Sequence, residues 1–196
     1  MKKITLTLIL GSALLISTHG QTRIGIKAGV NLTDMTGSDA KTDFPESSKK
    51  IGANAGIFVI QPIAPLLKFQ GEFNFALKGV NTKHGNYQYN YFDLLAAARL
   101  PIQRAFHVFA GPQISFLTSH SKIGPRYLDS AWTQSKIKKT AFSFVAGFGW
   151  TSSYDVGFDF RVENGIGTID ASAPTDNFKN VLVTWNLYYV FSRKKH

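Results

Sequence analysis

The sequence contains no cysteine, and this absence excludes several classes of protein. A chain without thiols has no disulfide framework, no thiol nucleophile and no cysteine-based metal site. Charge is also scarce, because only 17% of the residues are charged, against roughly 25% in ordinary soluble domains. The best candidate for a membrane helix beyond the N-terminus, residues 91–100, is short and contains Asp93 and Arg99, so no such helix is predicted.

Aromatic residues and glycines are abundant instead. The 196 residues include 16 Phe and 17 Gly, 44% of the chain is hydrophobic, and the net charge is +10. Many aromatics and glycines with little charge favour a β-protein that has one apolar face and tight turns. The length suffices for one domain with a complete core.

The N-terminus has the pattern of an export signal. Lys2 and Lys3 precede an apolar segment, residues 4–16, that is too short to span a bilayer. Small and polar residues follow up to Gly20. The pattern predicts a cleaved signal peptide at residues 1–20 and a single domain at residues 21–196.

Apolar and polar residues alternate strictly in residues 67–78, where Phe69, Phe73 and Phe75 share one parity and Lys68 and Glu72 the other. A period of two predicts a strand with two opposite faces. The same alternation predicts eight strands, at residues 23–32, 51–60, 67–78, 87–100, 106–117, 140–150, 154–163 and 181–191.

Two positions qualify this prediction. The alanines and leucines of residues 93–99 also suit a helix, but the aromatics before them and Pro101 after them favour a strand. Pro112 lacks a backbone donor, so a bulge or a locally open pair is expected there.

The connections between the predicted strands alternate between long and short. A tilted strand of about ten residues can cross a bilayer, and alternating loop lengths are typical of outer-membrane barrels. The predicted fold is therefore all-β, an eight-stranded antiparallel up-and-down transmembrane β-barrel in the outer membrane of a Gram-negative bacterium. Six aromatic residues are candidates for interfacial girdles: Tyr87, Tyr89, Trp150, Tyr154, Trp185 and Tyr189.

The charged residues of the predicted strands all fall on one face. A small membrane barrel keeps such residues inside and its aromatic face in lipid. Five bases and five acids together predict an ion-pair network in the lumen: Lys27, Lys68, Glu72, Lys78, Asp93, Arg99, Asp155, Asp159, Arg161 and Glu163.

Catalytic and metal-binding patterns are weak. Ser/His/acid chemistry would have to use loop residues whose geometry nothing in the sequence defines: His84, Ser119, His120, Ser121, Asp129 and Ser130. The five histidines form no HExxH motif, and Gly165 and Gly167 lack the third glycine of a nucleotide site. We therefore expect no enzyme activity, no cofactor and no metal.

The predicted loops are rich in bases that would lie near lipid headgroups, so we expect contact with outer-membrane lipid and with the phosphates of lipopolysaccharide. Nucleic acid would also suit a basic surface, but the predicted location argues against it. The bases are Lys41, Lys49, Lys50, Lys83, Lys122, Arg126, Lys136, Lys138 and Lys139.

Several segments resemble one family. Residues 109–112 (FAGP), 141–150 (AFSFVAGFGW) and 156–161 (VGFDFR), with the aromatic end of the last strand, are similar to the PorT-like outer-membrane β-barrel proteins. The resemblance implies an eight-stranded barrel like OmpX and the OmpA membrane domain, and it implies no single activity. The outer-membrane insertion machinery is an expected partner, although five residues follow the aromatic Phe191.

These patterns together predict a non-enzymatic barrel with a polar lumen that side chains fill. Its role would be structural or interactive, and we expect a monomer. Three alternatives stay open: a narrow channel with porin-like transport, a lipid-modifying barrel enzyme, and a soluble lipocalin-like barrel.

Overall fold

The computed structural model describes residues 21–36, 48–82, 85–123, 138–166 and 179–191. The predicted signal peptide lies outside these residues, as does most of the predicted loop sequence. The described chain forms eight strands: β1 (Arg23–Thr36), β2 (Ser48–Ala64), β3 (Leu67–Thr82), β4 (Gly85–Pro101), β5 (Phe106–Ile123), β6 (Thr140–Thr151), β7 (Val156–Ile166) and β8 (Lys179–Phe191).

Each strand pairs with the next, and β8 pairs with β1, so the sheet closes into an antiparallel barrel. The predicted fold class is therefore confirmed. The helical alternative for residues 93–99 is wrong, because these residues lie inside β4. None of the described residues forms a helix with the length and apolarity needed for a membrane crossing.

The two faces of the barrel wall are chemically opposite, as β3 illustrates. Phe69, Phe73 and Phe75 are exposed on the outside, whereas Glu72 and Asn74 are buried in the lumen. An apolar exterior around a polar interior reverses the arrangement of a soluble protein. Closure also pairs the backbone groups that lipid cannot satisfy.

Outward aromatic rings also contact each other across strands. Phe73 stacks on Phe92 at 5.2 Å between ring centroids, and Phe160 meets Trp185 edge to face at 5.5 Å. Such ring contacts stabilise the pairing of neighbouring strands.

Strands β2–β5 are longer than the alternation predicted. They contain 16 to 18 residues, against 11 to 14 in the other four. The loop predicted at residues 79–86 is mostly strand, since β3 continues to Thr82 and β4 begins at Gly85. A strand that continues beyond the bilayer needs no apolar outer face, so hydrophobic alternation does not reveal these extensions.

Pro112 sits at a locally open pair, one of the two predicted outcomes. The β4–β5 ladder passes from Leu95↔Gln113 to Ala98↔Ala110 without the two intervening pairs, and its register is unchanged. The irregularity of this ladder lies elsewhere, at Asn90. The missing donor of proline therefore costs pairing on one side only.

The girdle prediction is wrong for one of its residues. Tyr154, Trp185 and Tyr189 are exposed on the outside. Tyr89 is buried in the lumen, because its register partner is the lumen residue Lys78. The side chain of Tyr87 lies outside the described residues.

The turns that join β2–β3, β4–β5 and β6–β7 are short, and two of them are hydrogen-bonded to neighbouring strands. The amide of Thr151 donates to the carbonyl of Ala105 at 2.9 Å, and that of Val190 donates to Asp155 at 2.8 Å. Asp155 has a positive φ of 62°, which aspartate tolerates better than most residues. The predicted seventh strand therefore began too early, since Tyr154 and Asp155 belong to the turn.

Candidate functional site: the barrel lumen

The lumen contains eight of the ten predicted network residues as buried side chains. Four are bases and four are acids, so their formal charges cancel: Lys27, Glu72, Lys78, Asp93, Arg99, Asp159, Arg161 and Glu163. Lys68 is half-buried near the β2–β3 turn. Asp155 lies in the β6–β7 turn, where it pairs with Arg23.

Glu72 is the centre of the largest group, the central cluster of Lys27, Glu72, Asp159 and Arg161. Arg161 Nη1 lies 2.7 Å from Glu72 Oε2, and its Nη2 lies 3.2 Å from Oε1. Lys27 pairs with the same carboxylate, and Arg161 also pairs with Asp159 at 2.9 Å. Two bases therefore share two acids, and the cluster is neutral.

Amides complete the coordination of both central carboxylates. Gln70 and Asn74 donate to Glu72 at 2.6 and 3.0 Å, and Asn186 donates to Asp159 at 2.9 Å. Buried ion pairs are stable only when such hydrogen bonds satisfy the remaining lone pairs.

A second group, the outer cluster, lies nearer the long loops. Lys78 pairs with Asp93 at 3.0 Å and with Glu163 at 3.0 Å, and its ammonium lies 5.3 Å from the ring centroid of Tyr91. One base serves two acids here, so the outer cluster has a formal charge of −1.

Arg99 stands apart at the periplasmic end. Its guanidinium donates to Gln70 Oε1 at 3.0 Å and lies 3.2 Å from His107 Nδ1 and 3.4 Å from Thr151 Oγ1. No acid within the described part of the chain forms an ion pair with it. Its register partner on β3 is another base, Lys68.

The periplasmic half of the lumen also contains two apolar clusters, which the predicted polar lumen did not include. The first consists of Phe58, Ile60, Tyr188 and Val190, and the second of Leu95, Ala97, Phe109 and Val145. Phe109 lies under the Arg161 guanidinium at 4.9 Å. The second cluster therefore packs directly against the central cluster.

The outer half contains a cavity of about 20 Å³, whose lining includes Asp93 and Glu163 of the outer cluster and also Lys27 and Arg161 of the central cluster. Five side-chain atoms in its lining have no hydrogen-bond partner within the described structure: Asn31 Oδ1, Asn54 Nδ2, Asn74 Oδ1, Asp93 Oδ1 and Asn186 Oδ1. The side chain of Asn74 lies against Gly56, where an added Cβ would collide with it. Unpaired polar atoms around a space of this size are characteristic of a hydrated cavity.

Most of the residues considered for hydrolysis have side chains that lie outside the described part of the chain. Ser119 is described, and its hydroxyl accepts a hydrogen bond from Asn90 at 2.7 Å. The side chains of the other five, His84, His120, Ser121, Asp129 and Ser130, lie outside the described residues. The described segments hold no group of His, Asp and Glu that could bind a metal ion.

The predicted site contained only charged residues, and it left out neutral lumen residues such as Asn31, Asn54, Asn186 and His107. Strand parity places these residues on the same face as the charged ones. Parity assigns a face to each side chain, but it does not show which strands bring their side chains together.

A closed eight-stranded barrel with a polar interior and an apolar exterior defines a class, the small barrels of bacterial outer membranes. The chain belongs to the family described as "Outer membrane protein beta-barrel domain", whose model matches residues 17–171. It is therefore a protein of the Gram-negative outer membrane.

Solved structures agree on the fold. The barrel is similar to Ail, the attachment invasion locus protein of Yersinia pestis, with 11% identity, a TM-score of 0.50 and coverage of 88% of this chain and 100% of Ail. Neisserial surface protein A has 12% identity, a TM-score of 0.53 and the same coverages of 88% and 100%. Comparison with curated proteins finds no significant sequence match.

Proposed function

We propose that this protein is a non-enzymatic outer-membrane barrel with a closed lumen, and that its role is structural or interactive. The observation that carries the proposal is the filling of the periplasmic half of the lumen. An eight-stranded barrel has an interior just wide enough for side chains to fill. A filled lumen leaves the outer surface as the part of the molecule that can act.

All eight strands contribute to this filling. Strands β1, β3 and β7 contribute residues to the central cluster. Strands β2, β4, β5, β6 and β8 contribute residues to the two apolar clusters. In chain order, the contributors include Lys27, Phe58, Glu72, Leu95, Phe109, Val145, Arg161 and Tyr188. We call these inward side chains of the periplasmic half the plug. Because every strand carries part of the plug, it cannot leave the lumen without opening the barrel.

The surface available for interaction is the outer end. Strands β2–β5 extend furthest there, and the exposed bases Lys49, Lys138 and Lys139 lie at strand ends on this side. These bases support contact with the phosphates of lipopolysaccharide, as an ionic-strength-dependent interaction. The narrower PorT-like relationship and a monomeric state are part of the same proposal.

Conductance in a planar bilayer tests the closed lumen. We expect purified wild-type protein to give no discrete current steps. The double variant Phe58→Ala/Tyr188→Ala removes two plug rings that pack at 5.6 Å, so it should give steps and serves as the positive control. Reproducible steps from the wild type would contradict the proposal.

A narrow channel is the second candidate, and the outer cavity favours it. The cavity has a volume of about 20 Å³ and is lined mostly by polar side chains. Conduction would then require a gap through the plug, which the same bilayer measurement detects.

Lipid-modifying activity is tested separately. The lipid A mass spectrum of cells should be identical with and without the protein. A new lipid A species that depends on the protein would overturn the non-enzymatic part of the proposal.

Binding of lipopolysaccharide tests the outer surface. Lys138→Gln/Lys139→Gln should weaken binding at low salt, while Arg104→Gln, at the opposite end, should leave it unchanged. Equal binding by the two variants would argue against the outer bases as the contact.

A further inference from the structure

The periplasmic mouth of the lumen carries positive charge that lacks a local counter-ion. Lys68 and Arg99 are direct register partners on β3 and β4, and like charges in this position destabilise a sheet. Arg99 is only 8% exposed, and Lys68 is half-buried. Within the described ranges, no carboxylate lies at ion-pair distance from either base.

The hydrogen-bond partners of Arg99 are neutral side chains. They are Gln70 at 3.0 Å, Thr151 at 3.4 Å, a ring nitrogen of His107 at 3.2 Å, and the side chain of Tyr188. These contacts satisfy N–H groups, but they do not balance the charge. A buried cation without a counter-ion carries a desolvation cost that hydrogen bonds to neutral groups offset only in part.

The nearest acids are already engaged. Asp155 pairs with Arg23, and Asp159 accepts from both Arg161 and Asn186. The excess negative charge of the lumen lies in the outer cluster, beyond the neutral central cluster. The eight fully buried charges therefore cancel, but the periplasmic mouth, with Arg99 and the half-buried Lys68, is positive.

We propose that this mouth binds a phosphate group between Lys68 and Arg99. The planar guanidinium of arginine matches phosphate oxygens, and the lysine ammonium adds a point charge. The half-buried Lys68 provides access from the periplasmic side, and a bound dianion or monoanion would remove the repulsion between the two bases. The site is independent of the interaction proposed for the outer end.

Unfolding by urea in micelles of a maltoside detergent, which contains no phosphate, tests the site with inorganic phosphate as the probe. Phosphate is exchanged for chloride at constant ionic strength, so that general screening does not change. The unfolding midpoint of the wild type should rise with phosphate concentration, because a ligand that binds only the folded state stabilises it. A midpoint independent of phosphate would overturn the proposal.

Three variants define the site. Lys68→Gln should lose most of the phosphate response, and Lys68→Glu should lose it entirely while unfolding at a higher urea concentration without phosphate, since its carboxylate replaces the anion. Arg104→Gln, the same loss of charge in the neighbouring turn, should respond like the wild type. A full response in Lys68→Gln and Lys68→Glu would reject the assignment even if the wild type responds.

A lipid arm identifies the source of the phosphate group. Vesicles that contain phosphatidylglycerol should abolish the response to added phosphate if lipid headgroups occupy the site. An unchanged response in those vesicles would assign the site to a soluble phosphate. Both outcomes support the site and differ only in its natural occupant.

Discussion

The two halves of the lumen differ, although both are lined by residues of the same strand parity. The periplasmic half is dense: ring and aliphatic side chains pack against a neutral group of ion pairs. The outer half holds a cavity, unpaired amide atoms and one base between two acids. Alternation of polar and apolar residues therefore does not make the lumen uniform. The size and polarity of the inward residues on each strand decide which part of the lumen is filled.

The difference has an energetic consequence. The carboxylates of Glu72 and Asp159 do not line the cavity, so they depend on protein partners that water cannot replace. In the outer half water can solvate a charge whose partner is removed. The same substitution should therefore cost more near the central cluster than near the outer cluster.

Glu72→Gln should have the largest effect. It removes the carboxylate that Lys27 and Arg161 share, and the cost should approach about 5 kcal/mol, the upper end for a broken buried pair. Urea unfolding in lipid vesicles measures it. The matched variant Glu163→Gln, in the outer cluster, should cost clearly less, and equal costs would remove the distinction between the halves.

Phe58→Ala should come next. It deletes a plug ring that packs edge to face on Tyr188 at 5.6 Å, and a buried Phe→Ala change costs about 3 kcal/mol or more. Phe144→Ala on the lipid face is the control, because acyl chains can fill the space. Equal losses in the free energy of unfolding for Phe58→Ala and Phe144→Ala would contradict the contrast between the packed lumen and the lipid face.

Lys78→Met should have a moderate effect of about 2 kcal/mol, below the usual cost of a broken buried pair. It leaves Asp93 and Glu163 without their base, but the adjoining cavity admits water. Raising the pH should then change the stability of the variant little once both acids are ionised. A loss as large as that of Glu72→Gln would show a dry outer half.

Asn54→Leu should have the smallest effect, under about 1 kcal/mol. The side-chain nitrogen of Asn54 has no partner within the described structure, so a dry site would gain about 1–3 kcal/mol on its removal. Hydration of that nitrogen predicts little change. A large gain in the free energy of unfolding would therefore count against a wet cavity.

Much of this fold could be predicted from the sequence. Strict alternation in segments such as residues 67–78 reports which face meets lipid, and lipid imposes that pattern on every membrane strand. The pattern stops where lipid stops, so the upper parts of β2–β5 were interpreted as loops. The prediction for Tyr89 was wrong for a different reason, because aromatic residues suit both an interface and a packed lumen.

The lumen network was predictable only as a set of residues. Parity placed Lys27, Glu72 and Arg161 on one face, yet the sequence does not say that strands β1, β3 and β7 bring them together across the barrel. Partner choice depends on strand tilt and stagger, which the register of the closed sheet determines. The isolated position of Arg99 follows from the same geometry.

The absence of cysteine permits the most direct test of the difference between the halves. Single cysteines at Asn54, in the outer half, and at Val145, fully buried in the dense half, provide two reporters without background thiols. In the folded barrel a small charged methanethiosulfonate reagent should modify Asn54→Cys and should not modify Val145→Cys until urea unfolds the protein. Comparable modification rates at both positions in the folded protein would contradict a lumen that is hydrated in its outer half and dry in its periplasmic half.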